Sequence, residues 1–285
     1  MEMRAAILSL TVLLAALLAP ARLRAQSQTV KLTADCADAD IAEHGLVCDE
    51  DEPCPIQLEL AGVEPVGSKL FIAGDFHAGP ATLASLLLVS EDQGVSWTEA
   101  SSRQKGVALY QVQFVDFATG WVAGHHAGAL PRDPFLLRTS DGGKTWKKLP
   151  VFGDSAVGVV EQFWFDSKDL GTLIAQRRGA RAAGRYLKFE TRNGGDTWML
   201  RESGEDPIEG KRPRGATSSA DWRIRADNRT KTLRVEKRES GKWTGVSSFA
   251  LDAGACKPAP PAPHESGSAE PSPDARPQKL PMPQR

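Results

Sequence analysis

Past its first two dozen residues this 285-residue chain contains no long apolar run. The run at its start, Ala5 to Leu18, is shorter than the ~20 residues a bilayer-crossing helix needs, so no membrane span is expected. The formal net charge is only -1. That excludes the broad one-sign field by which a whole chain attracts nucleic acid. Metal-ligand spacing is also missing. Cys48 and Cys54 are separated by Asp-Glu-Asp-Glu-Pro with no histidine at ligand spacing, which is not a zinc pattern. The acidic loop Asp49 to Glu52 lacks the periodic ligands of a calcium loop. No cofactor motif and no metal site is expected.

The first 25 residues read as a signal peptide: Arg4, then the apolar run, then Leu23-Arg24-Ala25 as a cleavage site. No cysteine follows at once, so no lipid anchor is expected. The mature protein is expected to be secreted or periplasmic. Export makes Cys36, Cys48, Cys54 and Cys256 candidates for two disulfides. Three connectivities can be drawn. One closes a small loop with Cys48 and Cys54 and leaves Cys36 for Cys256.

Charge is unevenly distributed. Ala34 to Glu64 carries ten carboxylates and no Lys or Arg, whereas Arg177 to Trp243 carries 18 Lys and Arg against 10 Asp and Glu. Solvated surface explains both; a sharper reading docks the acidic segment near the basic later part.

A short stretch recurs three times. Ser90 to Trp97 is Ser-Glu-Asp-Gln-Gly-Val-Ser-Trp, Thr139 to Trp146 is Thr-Ser-Asp-Gly-Gly-Lys-Thr-Trp, and Thr191 to Trp198 is Thr-Arg-Asn-Gly-Gly-Asp-Thr-Trp. Asp92, Asp141 and Asn193 can accept hydrogen bonds from nearby backbone N–H groups and so close a turn. Gly94, Gly143 and Gly195 supply positive φ. Trp97, Trp146 and Trp198 offer a large apolar face to clamp the turn onto a sheet.

These stretches resemble the Asp-box, or BNR, repeat of sialidase-like β-propellers, and with their flanks they look most like the family of photosystem II assembly factors and its secreted bacterial relatives. The resemblance implies that the box joins the last two strands of each blade and is structural. It covers a chain in which Trp97, Trp146, Trp198 and Trp243 follow one another at blade-length intervals.

Alternating segments between the boxes read as strands. Thr29 to Leu32 is a lone strand in an otherwise irregular lead-in. Ile56 to Leu60, Lys69 to Ala73 (ended by Gly74-Asp75) and Ser85 to Val89 form a first unit. Tyr110 to Val115, Trp121 to Ala123 (ended by Gly124), Phe135 to Arg138 and Trp146 to Leu149 form the cleanest. Phe163 to Asp166, Leu170 to Ala175 and Tyr186 to Phe189 form a third. Asp221 to Ala226, Thr232 to Glu236 and Trp243 to Val246 form a fourth, whose box has shrunk to Glu239-Ser240-Gly241-Lys242-Trp243. The fold class is all-β: a β-propeller of about four visible blades of four short antiparallel strands. The expected organisation is signal peptide 1–25, acidic cysteine-bearing segment 26–54, propeller domain 55–256, and a disordered Pro-rich tail 257–285. Four units can form a small ring, an open ring, or half of a homodimer. A closing strand near the N-terminus, pinned by Cys36 and Cys256, would cover an exposed edge.

A sialidase-like site would need an arginine cluster and a tyrosine nucleophile. Only Tyr110 and Tyr186 exist, both in strand patterns, and Arg223-Ile224-Arg225 is a weak echo of such a cluster. His125-His126 reads as a surface loop. No catalytic residue is assigned. The expected function is a non-catalytic exported scaffold that binds a protein or an anionic glycan, with a glycoside hydrolase as the alternative and nucleic acid excluded. Arg177, Arg178, Arg181 and Arg185, in a basic insertion, are the candidate partner-binding residues.

Overall fold

The computed structural model describes residues 29–178, 184–211, 218–219 and 221–258. The expected signal peptide, all but the start of the Pro-rich tail, and Arg181 lie outside these residues. The described chain is nearly all β. It begins with β1 (Thr29–Val30), followed by α1 (Asp38–His44). The helix corrects the expectation of an irregular lead-in. Asp38 and Asp40 in its first turn and His44 in its last complement the helix dipole. The Asp40 carboxylate also accepts the Ala37 N–H at 2.8 Å.

Four blades follow. The first is β2 (Cys54–Val66), β3 (Lys69–Ala78), β4 (Ala81–Ser90) and β5 (Thr98–Glu99). The second is β6 (Val107–Phe114), β7 (Gly120–His126), β8 (Arg132–Thr139) and β9 (Lys147–Pro150). The third is β10 (Val157–Phe165), β11 (Gly171–Arg178), β12 (Tyr186–Thr191) and β13 (Met199–Gly204). The fourth is β14 (Ser218–Ser219), β15 (Trp222–Asp227), β16 (Thr232–Glu239) and β17 (Lys242–Ala250). A last strand, β18 (Asp252–Cys256), returns to pair antiparallel with β2. At the other terminus β1 pairs parallel with β17. Both ends of the described residues therefore cover sheet edges.

Several strands run past the glycines expected to end them. Gly74 lies inside β3, opposite a bulge between Leu60 and Gly62. A Cβ at Gly74 would collide with the Glu59 backbone carbonyl, so the glycine permits close strand approach rather than ending the strand. Gly124 lies inside β7 in the same way, and His125 and His126 are strand residues, not loop residues. The bulge recurs in the inner strand of each of the first three blades: Leu60/Gly62, Leu109/Gln111 and Val160/Gln162.

Apolar cores lie between neighbouring blades. Blade 4 packs on blade 1 through Ile224, Val235 and Phe249 against Ile72, Phe76 and Leu86. Blade 1 meets blade 2 through Phe71, Ala73 and Leu87 against Leu109, Val122 and Phe135. Blade 2 meets blade 3 through Trp121, Ala123 and Leu136 against Phe163, Phe165 and Leu173. Trp121 and Phe165 stack with ring centroids 3.5 Å apart. Among the described residues no such core joins blade 3 to blade 4. The packing order is therefore 4-1-2-3, with a seam at its ends.

Disulfides join Cys36 to Cys256 and Cys48 to Cys54. The first ties the N-terminal segment to β18. The segment packs Val30, Leu32 and Ile41 on the core of blades 1 and 4. Its Asp40 pairs with Lys105, at 2.9 Å, in the connection between blades 1 and 2. The acidic segment thus docks on the start of the propeller as well as on its last blade.

Candidate functional site

The first two box turns share one hydrogen-bond design, and the third keeps its backbone part while Trp198 Nε1 is left without a hydrogen-bond partner among the described residues. In the second, Asp141 Oδ1 accepts from the N–H groups of Lys144 (3.0 Å) and Thr145 (2.9 Å), while Oδ2 accepts the Thr145 hydroxyl at 2.6 Å. Thr139 Oγ1 donates to Asp141 and accepts the Gly143 N–H. Gly143 has φ 85 and Trp146 Nε1 donates to its carbonyl at 3.1 Å. Ser90, Asp92, Gly94, Ser96 and Trp97 repeat the pattern. These bonds to the charged form, the hydroxyls of Ser96 and Thr145 first, hold Asp92 and Asp141 down to about 2. In the third turn Asn193 Oδ1 accepts the Thr197 N–H, but its Nδ2 donates to the Thr197 hydroxyl, reversing that bond.

Each box tryptophan enters the core shared with the preceding blade. Trp97 faces Phe249 of blade 4 and donates to Ser247 at 3.1 Å. Trp146 faces Phe71 of blade 1. Trp198 packs on the core of blades 2 and 3, and the Gly194 carbonyl beside it accepts Trp121 Nε1 of blade 2 at 2.9 Å. The fourth blade has only the shrunken box, with Trp243 instead between Arg223 (4.2 Å) and Arg238 (5.8 Å). The degenerate box and the open seam coincide.

The candidate partner-binding arginines separate into two kinds. Arg177 is held: its guanidinium bonds both oxygens of Asp154, at 3.1 and 2.9 Å, and lies over Phe152. Arg178 and Arg185 make no ion pair among the described residues; Arg185 lies over Tyr186. The strand register adds a residue that the sequence did not single out. His126 pairs with Arg132, Arg132 with Val157, and Val157 with Arg178. Directly paired strand residues project from the same face. The row His126, Arg132, Arg178 thus crosses the one point where the sheets of blades 2 and 3 join, at the end of the blades opposite the box turns. Lys148 Nζ approaches His126 Nε2 at 2.9 Å, and burial, then the nearby cation, pulls His126 below its usual value.

A second polar group lies between blades 1 and 2. Glu59 and Asp75 are cross-strand partners, and His77 is two residues further along β3 on the same face. Their candidate donor atoms all lie within 4.8 Å of one another. Asp75 is 7 % exposed, and its Oδ1 lies 3.7 Å from His77 Nδ1, an ion-pair contact too long for a hydrogen bond. The Asp75 carboxylate raises the His77 pKa, and burial followed by the Asp75 charge raises that of Glu59. Across the interface, burial lowers His125 against the opposing pull of Asp75. The sequence gives no spacing signal for this group, because pairing across a hairpin joins positions 59 and 75.

The remaining candidates have structural partners. Tyr110 is partly buried; its hydroxyl accepts the Val160 N–H at 3.0 Å, and desolvation pushes its pKa far up. Arg223 forms an ion pair with Glu236 at 2.6 Å. Asp49 caps its own loop through the N–H groups of Asp51 and Glu52.

No protein-family model and no characterised protein matches the chain by sequence. Among solved structures it is similar to a GH74 xyloglucanase from Xanthomonas campestris, at 12% identity and TM-score 0.37, over 66% of this chain and 28% of that one. It is also similar to YCF48 bound to D1 peptide, at 12% identity and TM-score 0.36, over 70% of this chain and 55% of the other. YCF48 from Cyanidioschyzon merolae aligns at 16% identity and TM-score 0.36, over 68% and 57%. The chain thus spans less than two thirds of each of these proteins, and the architecture it shows in its own right is that of a β-propeller.

Proposed function

We propose that this protein is an exported, non-catalytic propeller that binds a macromolecular partner bearing carboxylates or other anionic groups. The carrying observation is the pair of arginines Arg132 and Arg178, brought into register through Val157 beside His126, neither of which forms an ion pair among the described residues. Unpaired cations in register on one edge are the kind of surface that attracts an anionic partner and orients it. Export is supported by the N-terminal 25 residues read as a signal peptide, and by two disulfides, which persist outside the cytoplasm. No described helix is long and apolar enough to cross a membrane.

The alternative, a glycoside hydrolase, requires two carboxyl groups flanking an open cleft that holds a sugar. Glu59 and Asp75 are the close carboxylate pair described above, yet Asp75 is buried between packed blades and faces His77. That arrangement favours binding over hydrolysis.

The test is a pull-down from periplasmic or culture extract with wild type and an Arg132→Ser/Arg178→Ser/Arg185→Ser variant. Arg177 is left intact, because Asp154 holds it. Wild type should recover a partner that is lost in the variant and released by salt, since exposed charges are screened over about 8 Å at physiological ionic strength. Equal recovery by both proteins at low and high salt would remove the basic row from the account. Turnover of a glycoside by purified protein would overturn the non-catalytic reading.

A further inference from the structure

The group between blades 1 and 2 has no role in the box turns or in the basic row. We propose that Glu59, Asp75 and His77 form a binding site for a first-row divalent cation, with zinc the best-fitting ion. The donor set argues for that class. Two carboxylate oxygens and one imidazole nitrogen suit zinc and its neighbours, whereas calcium takes a shell of 6–8 oxygens.

The spacing is close to what such an ion needs. Ligand atoms about 2.0–2.1 Å from a tetrahedral zinc stand about 3.3 Å apart. His77 Nδ1 and Asp75 Oδ1 are 3.7 Å apart, and all three donors lie within 4.8 Å. Glu59 is exposed and can close the widest separation by a side-chain rotation. Its exposure also gives the ion a route in from solvent and leaves coordination positions to water.

An independent observation comes from the orphaned polar atoms. The Asp75 side chain is 10% exposed, and the contact it makes with His77 is the long 3.7 Å approach described above. His77 Nδ1 is buried and makes no hydrogen bond among the described residues, and His125 Nδ1 across the interface is in the same condition. Buried charges are ordinarily paired and hydrogen-bonded or coordinate a metal. One cation would satisfy Asp75 and His77 together. It would also bind Glu59 of β2 to both residues of β3, stiffening the inner end of blade 1 where blade 2 packs.

The experiment uses tag-free full-chain protein, stripped with chelator and titrated calorimetrically with zinc chloride, with calcium chloride in parallel. Wild type should take up one zinc per chain and no calcium at comparable concentration. His77→Gln and Asp75→Asn should each weaken zinc binding at least about tenfold, while His44→Ala, in the remote helix α1, should bind as wild type. Circular dichroism confirms the fold of each variant. Should a buried substitution prevent folding, Glu59→Gln at the exposed position provides the same test and should also weaken binding. Absence of saturable zinc uptake by wild type, or wild-type affinity in the folded variants, would overturn the site. Equal affinity for calcium would overturn the role of the imidazole.

Discussion

The side-chain amide of Gln113 brackets the backbone of Phe165 in the next blade, donating to its carbonyl at 2.9 Å and accepting its N–H at 2.8 Å. Gln111 does the same to Phe163, at 2.7 and 3.2 Å. Two glutamines thus act as a false strand edge that fixes the inner strand of blade 3 against that of blade 2. Replacing Gln113 with Leu leaves a carbonyl and an N–H without partners. The expected cost is about 1–3 kcal/mol, read as a lower midpoint in urea unfolding. An unchanged midpoint would show that the amide is incidental to the interface.

The box carboxylate should make stability pH-dependent. Asp141 titrates at about 2 in the fold, below its ordinary 3.8. A depressed carboxylate contributes stability that is complete above its unfolded pKa and lost as pH falls through its folded one. Asp141→Ala should therefore lower Tm by a constant amount at neutral and mildly acidic pH, and the gap from wild type should close between about pH 4 and about pH 2. Asn193→Asp should be neutral or stabilising. The Thr197 hydroxyl can turn to donate, as Thr145 does to Asp141, and Arg138 lies nearby on the Gly194 carbonyl. Thermal melts across pH decide both.

The two disulfides should differ in weight. Cys36 and Cys256 are 220 residues apart in sequence, whereas Cys48 and Cys54 are 6 apart. Loop-closure entropy gives roughly 5 kcal/mol for the first and roughly 2 kcal/mol for the second. Double serine replacement of Cys36 and Cys256 should lower the denaturation midpoint markedly more than that of Cys48 and Cys54. Intact mass with alkylation before reduction should detect no free thiol in wild type.

Glycines with a packing role should be distinguishable from permissive ones. A Cβ at Gly171 would stand 2.5 Å from the Phe165 ring, whereas one at Gly153 would meet nothing within 4 Å. Gly171→Ala should destabilise by about 1–3 kcal/mol through overpacking, and Gly153→Ala should be near neutral. Equal melts for the two would contradict the close packing of Gly171 on Phe165.

Local chemistry made much of this fold legible. Asp141, Gly143 and Trp146 act within one turn, so their spacing survives as a motif, and period-two alternation such as Tyr110 to Val115 marked the strands. What stayed hidden depends on pairing between distant positions. Gly74 and Gly124 looked like strand ends because a glycine admitting a neighbouring backbone has the same sequence signature as one that turns. Misreading Gly124 sent His125 and His126 to a loop. Arg132 drew no notice, since only the register through Val157 places it beside Arg178. Glu59, Asp75 and His77 meet through a hairpin whose partners no short motif can encode.

The return of β18 to β2 sets a timetable for biosynthesis. The ribosome delivers the first blade early, yet that blade's inner neighbour is nearly the last described segment to emerge. The core between blades 1 and 4 likewise needs residues from both ends of the chain. The earliest-made blade is therefore the last to be completed. A nascent chain cannot lock shut while its tail is still being synthesised, and a stop codon before Asp252 would damage the beginning of the propeller rather than its end.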